Sequence, residues 1–497
     1  MVWYWLPLLL TALVRVVWLE LVPVDPLGLV DAEGFHLLAV NVLDGKGFAI
    51  GWTAPFCPTA VRTPAYPFFL MGGYELLGRS PERIVRLHVL LEVLTAALLI
   101  VLTRDTVRAI SRPRLRLAKR WSLPLGLIAG TIYALNGMTQ RFTGYLLSET
   151  LLLPLLTGAL WSTMRLTQRP SMPRAVSAGA LWGLALLVKP NGQFLVLVIG
   201  LVLAARLLAG PRAQGRQRRC PVVALTFWVA LVLLVFPWLV RNRLLLGRWS
   251  ISAAFAENLA RVSAVATLAE MEGVRAEPWT DTWEHLYRNF VARVGAQHGW
   301  GDCLRAGGPL GPLTCVEAVP DCALRLHRTA QIWDAARSFV LRHWRVYLRV
   351  HLKGALKSLL NPGHRLWYHI LTGCTWDATG VVPDIWRRMS WSFARGAVGD
   401  ALRAFWMERV SRVSPLAGLL WWGLIVIRTT LCGLGLRGIW RLRSRLILAF
   451  LLGGTLVYHL VLPGPIAHDR LYAPALTAGI VLVVIGALPE HFIDADN

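Results

Sequence analysis

Ten apolar stretches alternate with short basic segments along this chain of 497 residues. Each stretch is long enough, or nearly so, to cross about 30 Å of hydrocarbon as an α-helix. The stretches lie near residues 3–22, 84–103, 121–137, 145–163, 175–190, 193–209, 221–240, 415–435, 446–463 and 471–489. This repetition predicts an all-α polytopic membrane protein with about ten transmembrane helices.

The composition agrees with a bilayer environment. Hydrophobic residues make up 55% of the chain and charged residues 16%, which leaves too little polar surface for a soluble globule. The formal net charge is +24, but the basic residues form bursts between apolar stretches instead of one face. Nucleic acid is therefore not expected as a partner.

The basic bursts predict the orientation of the chain. They lie at residues 104–120, 165–174, 212–219 and 437–445. All four fall on the cytoplasmic side if the amino terminus is cytoplasmic. The chain is then expected to be a multi-pass protein of the plasma (inner) membrane. The first apolar stretch lacks a basic leading segment and a small-residue cleavage site, so it is expected to remain as an anchor.

This topology divides the chain into three predicted parts. Residues 1–240 form an N-terminal transmembrane module whose first outer loop is 23–83, residues 241–412 form a small extracytoplasmic domain, and residues 413–497 form C-terminal transmembrane helices. Within the outer domain, residues 326–360 interleave apolar and basic residues at helical spacing. That pattern predicts an amphipathic interfacial helix lying in the headgroup layer.

Cysteine spacing indicates no metal site. The seven cysteines include no CxxC pair and no Cys/His metal-binding spacing. Four of them, Cys303, Cys315, Cys322 and Cys374, fall in the long outer region. An extracytoplasmic location permits disulfides there, and the pairing stays open.

The first outer loop carries two acids, Asp31 and Glu33, directly after the first apolar stretch. They are two residues apart in a predicted loop, so spacing alone does not place them on one face. A carboxylate at the outer boundary can take the proton of an attacking alcohol, which contributes on the order of 10²- to 10⁴-fold in rate. A structural alternative is that Asp31 caps a helix running through Leu43. The two roles are compatible.

Three further ionisable residues lie at predicted outer helix ends. Arg62 is in a Pro-rich return to the membrane, where its planar guanidinium suits a phosphate, although a solvated or headgroup-bound arginine is equally expected. Lys189, before Pro190, is open to the same two interpretations. Glu149 lies at the mouth of an apolar helix, where an acid is costly unless it is paired or faces a cavity.

Polar residues also precede the last apolar stretch. His468, Asp469 and Arg470 form either a polar patch opposite Asp31 or part of an interfacial belt. Five ionisable residues lie inside the first two apolar stretches, where isolated charges are costly. They are expected to lie near the membrane boundary or to pair across helices, and they are Arg15, Glu20, Arg86, His88 and Glu92.

Several of these segments occur together in an order typical of a known family. They are residues 31–39, 45–48, 62–67, 147–150, 189–190, 241–247, 257–259 and 469–474. Their order and membrane sidedness resemble the GT-C superfamily of integral membrane glycosyltransferases, in the branch of bacterial aminoarabinose transferases and protein O-mannosyltransferases. The likeness spans most of the chain.

The resemblance implies transfer of a sugar from a polyprenyl-phosphate-linked donor, with inversion, to a hydroxyl of a lipid, glycan or protein acceptor at the outer face. It implies Asp31 as the general base, with Glu33 as a second catalytic acid, and Arg62 as a ligand of the leaving phosphate. The other implied substrate-binding residues are Glu149, Lys189, Tyr66, His468, Asp469 and Arg470. No cofactor is implied, and a divalent cation on the phosphate stays open.

Two departures from the family pattern leave the role of Glu33 and the acceptor geometry open. Ala32 separates the two acids, which are adjacent in several family members, and Phe35 lacks the hydroxyl of the usual tyrosine. The alternatives to an enzyme are a transporter or lipid flippase, which predicts paired broken helices and internal similarity between halves, and a non-catalytic membrane scaffold. The halves of this chain do not resemble each other, and its ionisable residues gather at the predicted outer mouth.

Overall fold

The computed structural model describes residues 5–22, 24–111, 116–208, 220–274, 276, 280–301, 316, 319–360, 399, 415–443, 445–462 and 473–489. Within these ranges the regular structure is helical, apart from one isolated antiparallel bridge between Ala49 and Pro58. The predicted all-α class is therefore confirmed.

The first half of the chain contains ten α-helices. They are α1 (Trp5–Leu21), α2 (Val30–Leu43), α3 (Ala65–Leu77), α4 (Pro81–Ile110), α5 (Arg116–Ala134), α6 (Gly137–Thr143), α7 (Glu149–Gln168), α8 (Met172–Val188), α9 (Gln193–Leu208) and α10 (Cys220–Leu246). A short 3₁₀ turn, Pro190–Gly192, joins α8 to α9.

The second half begins with the predicted outer domain. Its described helices are α11 (Ala254–Asn258), which continues through a π-helical segment (Leu259–Ala264) into α12 (Val265–Met271), then α13 (Asp281–Gln297), α14 (Cys322–Arg342) and α15 (Trp344–Leu360). The C-terminal helices are α16 (Pro415–Arg441), α17 (Leu446–Leu448), a π-helical segment (Ala449–Gly454), α18 (Thr455–Val461) and α19 (Ala475–Ala487).

Each of the ten apolar stretches is helical over most of its described residues, as predicted. Among the described residues, three helices are long and apolar enough to cross a membrane by length and composition, namely Pro81–Ile110, Pro190–Leu208 and Pro221–Leu245. Shorter apolar helices span Met172–Val188, Leu446–Val461 and Ala475–Ala487.

Two sequence expectations about local structure are wrong. The segment from Asp31, predicted as a loop, is the helix α2, and α3 also lies within the predicted outer loop. The stretch 326–360, predicted as one amphipathic helix, belongs to two helices that are separated at His343. His343 caps α14 with φ −108° and ψ 32°, outside helical geometry, and this turns the chain between them.

Several helix starts follow directly from the local sequence. Ser80 accepts a hydrogen bond from the backbone N–H of Arg83, and Pro81 occupies the first turn of α4, where its missing N–H costs nothing. Thr280 caps α13 in the same way, and Asp321 accepts from two backbone N–H groups at the start of α14. These caps define where the chain enters each helix.

Glycines allow close packing between the long helices. A methyl group at Gly179 of α8 would lie 2.2 Å from the carbonyl oxygen of Phe227 in α10, and one at Gly438 of α16 would lie 2.1 Å from that of Leu482 in α19. Only the absence of a side chain permits these approaches. Small residues at helix contacts are typical of membrane helix bundles.

A buried ionic group ties α1 to α4, which agrees with the general expectation that charged residues inside the apolar stretches pair across helices. Arg15 and Glu92 are fully buried and form an ion pair at 3.2 Å. Arg15 also donates to Thr139 Oγ1 at 2.6 Å and to the carbonyl oxygen of Ala134 at 2.8 Å, and Tyr133 donates to Glu92 at 2.8 Å. Because each charge has partners, the pair is tolerated in an apolar interior.

The buried apolar residues form three clusters. The largest lies among the long helices and includes Trp182 and Phe227. The second joins α2, α3 and α4 to the start of α7 and includes Phe35 and Tyr66. The third is confined to the helices α11 to α15 and the segments between them, and it includes Trp283. These helices belong to the predicted outer domain and are called the outer helices below. The second cluster is the floor of the candidate site.

Candidate active site

Asp31 lies in the first turn of α2 and does not cap it. The capping position belongs to Leu29, which makes no side-chain cap. Asp31 and Phe35 are four residues apart and therefore project from the same face of the helix. An acid in the first turn also interacts favourably with the helix dipole.

Arg62 contacts both residues of this face. Its Nη2 donates to Asp31 Oδ1 in an ion pair whose side chains are 26% and 23% exposed for arginine and aspartate. The guanidinium carbon lies 5.3 Å from the centre of the Phe35 ring, which is within cation–π range. Arg62 Nε is buried and has no hydrogen-bond partner among the described residues.

The backbone around Arg62 is held by elements far away in the sequence. The contacts are Arg241 Nη1 to Thr59 O, the Ala253 N–H to Ala60 O, Ser252 Oγ to Val61 O, and Thr63 Oγ1 to Val188 O, at 2.6 to 2.8 Å. Chain segments without regular secondary structure are normally mobile. Here hydrogen bonds to the residues on both sides of Arg62 fix the position of its backbone, from which the side chain extends.

Lys189 and Glu149 form a second ion pair beside this segment. Lys189 Nζ donates to Glu149 Oε1 at 2.8 Å, and the carboxylate is completely buried. Ser148 Oγ donates to Glu149 Oε2 at 3.3 Å. Thr63 Oγ1 donates to the carbonyl oxygen of Val188, the residue before Lys189. The Lys189–Glu149 pair therefore lies next to the Arg62 segment. The predicted need of Glu149 for a partner is met.

Glu33 and His36, on the next face of α2, both contact Trp52. Trp52 Nε1 donates to Glu33 Oε1 at 2.7 Å, and its ring centre lies 6.1 Å from that of His36. His36 Nδ1 is 2.8 Å from the hydroxyl of Tyr74. Burial lowers the pKa of His36, although the Glu33 carboxylate opposes this, and burial raises the pKa of Tyr74. The exposed indole is therefore held by polar contacts on its edge.

Tyr66 lies beneath the site. It is fully buried, its hydroxyl is 3.1 Å from His88 Nε2, and its ring meets the edge of Phe35 at 5.0 Å. Burial raises the pKa of Tyr66 well above its ordinary value, and the charge of Glu149 raises it further. Tyr66 thus supports Phe35 from the interior and does not reach the surface of the site.

A disulfide joins the first outer loop to the outer helices. Cys57 pairs with Cys322 at the start of α14, across 265 residues of sequence. Cys57 was not among the four cysteines that the sequence singled out, because it lies in a different loop. The disulfide is compatible with the predicted location of both segments on the extracytoplasmic side, since disulfides persist in oxidising compartments.

Part of the predicted site falls outside the described residues. His468, Asp469 and Arg470 lie there, as do Cys303, Cys315 and Cys374. Within the described ranges, no group of three or more His, Cys, Asp or Glu side chains is placed to hold a metal ion.

Sequence reasoning missed the residues that position the site. Arg241 and Ser252 donate hydrogen bonds to backbone carbonyl oxygens of the Arg62 segment. His36 lies against the ring of Trp52 and is itself hydrogen-bonded to Tyr74. Contacts to carbonyl oxygens leave no residue pattern in the sequence. The spacing of Glu33 and His36, three residues apart, was the one signal available.

The helices and the paired charges define an all-helical protein with helices able to cross a membrane and a polar site at one end. No protein-family model matches the chain, and no curated protein matches it. Crystal structures of ArnT from Cupriavidus metallidurans are similar in outline. The structure bound to undecaprenyl phosphate gives a TM-score of 0.36 and 14% identity, and the apo structure gives 0.35 and 15%. Each alignment covers 96% of this chain and 76% of the other.

Proposed function

We propose that the chain transfers a sugar from a polyprenyl-phosphate-linked donor to an acceptor hydroxyl at the outer face of the membrane. The observation that carries the proposal is the ion pair of Asp31, in the first turn of α2, with Arg62. Its side chains are 26% and 23% exposed for arginine and aspartate, and it lies beside a buried apolar cluster that includes Phe35 and Tyr66. The sequence resemblance to the GT-C superfamily supports the same reaction.

In the proposed reaction, the Asp31 carboxylate takes the proton of the acceptor hydroxyl as that oxygen bonds to the anomeric carbon. The bond from the anomeric carbon to the phosphate oxygen breaks, and the electron pair leaves with the polyprenyl phosphate. Attack opposite the leaving group inverts the anomeric centre. General-base help of this kind contributes on the order of 10²- to 10⁴-fold.

The leaving phosphate gains negative charge, which fixed cations stabilise most strongly in a partly dry site. Arg62 is proposed to hold this phosphate, because its fork suits two phosphate oxygens and its backbone is held by the outer segments. Lys189, kept in place by Glu149, is proposed to add a second positive charge. Arg470, His468 and Asp469 stay candidates for further substrate contacts.

The decisive test uses purified protein reconstituted with a radiolabelled polyprenyl-phosphate sugar and cell-envelope acceptors. Asp31→Asn keeps the shape and removes the base, so transfer is expected to fall by about 10²-fold or more. Asp281→Asn, in the first turn of α13, is the matched control and is expected to leave transfer unchanged. Equal transfer by the wild type and Asp31→Asn would remove Asp31 from the mechanism.

Arg62 gives an independent measurement in the same assay. Arg62→Lys keeps the charge but loses the fork, and Arg62→Met loses both, so transfer is expected to fall in that order. Movement of the labelled lipid across the bilayer without transfer would instead favour the transporter or flippase interpretation.

A further inference from the structure

A cavity of about 140 Å³ lies where the long helices meet the outer helices. Its membrane side comes from the α8–α9 turn and from α18, and its outer side from α11, the following π-helical segment and α15. The polar lining residues that carry the argument are Gln193, Ser252, Asn258, Tyr347, His351 and Tyr458.

The described lining of the cavity is polar and carries no formally charged side chain. Its described lining includes no Asp, Glu, Lys or Arg, although the chain carries 52 basic residues and a net charge of +24. The polar groups are amides, hydroxyls and one imidazole, interleaved with aromatic rings. Ligand sites with this chemistry hold their ligand by hydrogen bonds and apolar contacts instead of ion pairs.

The imidazole in the lining has a partner on each ring nitrogen. His351 Nε2 is 3.0 Å from the carbonyl oxygen of Val461, which can only accept, so Nε2 carries a hydrogen. His351 Nδ1 lies 3.0 Å from the hydroxyl of Tyr347. Burial lowers the pKa of His351, although the hydrogen bond to Val461 opposes this, and a lowered pKa favours the uncharged ring near pH 7.

The two tyrosine hydroxyls of the lining are engaged within the protein. The Tyr347 hydroxyl is 3.0 Å from His351 Nδ1 and is also hydrogen-bonded to Ser263. The Tyr458 hydroxyl donates to the carbonyl oxygen of Asn191 and is also hydrogen-bonded to the backbone of Phe194. The side-chain amides of Gln193 and Asn258 offer both donors and acceptors at the same cavity.

The cavity adjoins the proposed phosphate site. Ser252, in its wall, donates to the carbonyl oxygen of Val61, the residue before Arg62, at 2.6 Å. Pro190, also in its wall, directly follows Lys189. Phe194 and Phe255 line the cavity and are 53% and 62% exposed, so it opens past them. A group attached to a phosphate at Arg62 therefore has a neighbouring compartment to enter.

We propose that this cavity binds a neutral, hydroxyl-rich sugar ring and discriminates against amino sugars that carry a positive charge. The proposal rests on the proposed function, since the ring would be the one carried by the donor. Placing an ammonium group in the cavity would remove it partly from water without a counter-charge among the described lining residues, which is unfavourable. The charged aminopentose of the transferases that the sequence resembles is thus not the expected sugar.

The first experiment measures binding without requiring transfer. The thermal unfolding midpoint of the purified full chain is recorded with methyl β-glucopyranoside and with its 2-amino-2-deoxy analogue, which differ by one ammonium group. The neutral glycoside is expected to raise the midpoint, because it binds only the folded state, and the cationic glycoside is expected to leave it unchanged. Equal shifts, or no shift with the neutral glycoside, would overturn the proposal.

The second experiment moves a charge into the cavity. Gln193→Glu is expected to weaken binding of the neutral glycoside about tenfold, and the rise in the unfolding midpoint with that glycoside should therefore be lost. The same variant is expected to gain a rise in the midpoint with the amino glycoside. Gln297→Glu, exposed at the end of α13, makes the same chemical change elsewhere and should behave as the wild type. The same preferences in both variants would contradict the proposed site.

Asn258→Asp serves as the second cavity variant if Gln193→Glu does not fold, because Asn258 is exposed at the rim and tolerates a change of charge. Failure of the two proposals can be told apart. Binding of the neutral glycoside without transfer from any lipid donor would support the proposed cavity and contradict the transferase reaction. Transfer without a preference for the neutral glycoside would support the transferase reaction and contradict the proposed cavity.

Discussion

The first turns of α2 present two side-chain pairs to two different partners. Asp31 and Phe35 hold Arg62, and Glu33 and His36 contact Trp52. The sequence resemblance implied that both acids act in catalysis. In the structure the Glu33 carboxylate accepts a hydrogen bond from the indole N–H of Trp52. This contact favours a role for Glu33 in positioning Trp52.

Substitutions at Glu33 and Trp52 test that role. Glu33→Gln keeps an oxygen that accepts from the indole, so it is expected to retain most of the transfer rate. Trp52→Ala removes the ring and is expected to raise KM by about tenfold, equivalent to about 1.4 kcal/mol, and Trp52→Phe should lie between. A loss of kcat in Glu33→Gln as large as that in Asp31→Asn would make Glu33 a catalytic acid.

His36 gives the protein a predictable response to acid. Because burial lowers its pKa below 6.5 in the folded state, the unfolded chain binds this proton at a higher pH. The free energy of unfolding should therefore fall as the pH drops below about 6.5 and continue to fall until the folded-state pKa is passed. Thermal midpoints at about pH 7.5 and about pH 5.5 should differ more in the wild type than in His36→Gln. If the midpoint changes by the same amount between the two pH values in both proteins, His36 does not titrate as expected.

At the scale of secondary-structure elements, the Arg62 segment depends on contacts that come from α8, α10 and the loop after α10. None of these contacts lies within the segment itself. The disulfide Cys57–Cys322 adds a covalent link from the same loop to α14. The position of Arg62 is thus a property of several elements together.

Removal of the disulfide tests this dependence. Cys57→Ser with Cys322→Ser is expected to lower the free energy of unfolding by about 2–4 kcal/mol and to reduce transfer, because the unfolded chain gains freedom and the loop loses a tether. Cys432→Ser removes the free cysteine of α16 and is the matched control. Denaturant unfolding and transfer assays that do not distinguish the double variant from this control would contradict the prediction.

At the scale of the whole molecule, sidedness decides whether the proposed reaction is possible. The basic bursts predict a cytoplasmic amino terminus and an outer location for α2, and the disulfide is compatible with an oxidising compartment on that side. The division into 1–240, 241–412 and 413–497 stays a prediction. The outer helices have a hydrophobic cluster of their own, which is compatible with it.

Labelling of intact cells tests this topology. Thr53→Cys, beside Trp52 on the exposed loop, is expected to react with a maleimide that cannot cross membranes. Gln168→Cys, exposed at the other end of α7, should react only after the membrane is opened. The reverse pattern would invert the topology and place Asp31 on the cytoplasmic side.

The sequence by itself determined where the apolar helices lie. Each of the ten apolar stretches is helical over most of its described residues, since a long apolar segment in a membrane must satisfy its own backbone hydrogen bonds. That charged residues inside such helices find partners was predictable for a related reason, because isolated charges there are costly, whereas the choice of Glu92 as the partner of Arg15 was not. These are properties that each segment carries locally.

The tertiary structure decided the site. The partners of Arg62, Trp52 and Cys57 lie tens to hundreds of residues away or bind through backbone carbonyls, which have no identity in the sequence. The same is true of the uncharged cavity, whose wall is assembled from α9, α11, α15 and α18. Contacts between distant segments depend on how the helices pack against one another, and hydrophobic burial, which drives that packing, is not directional.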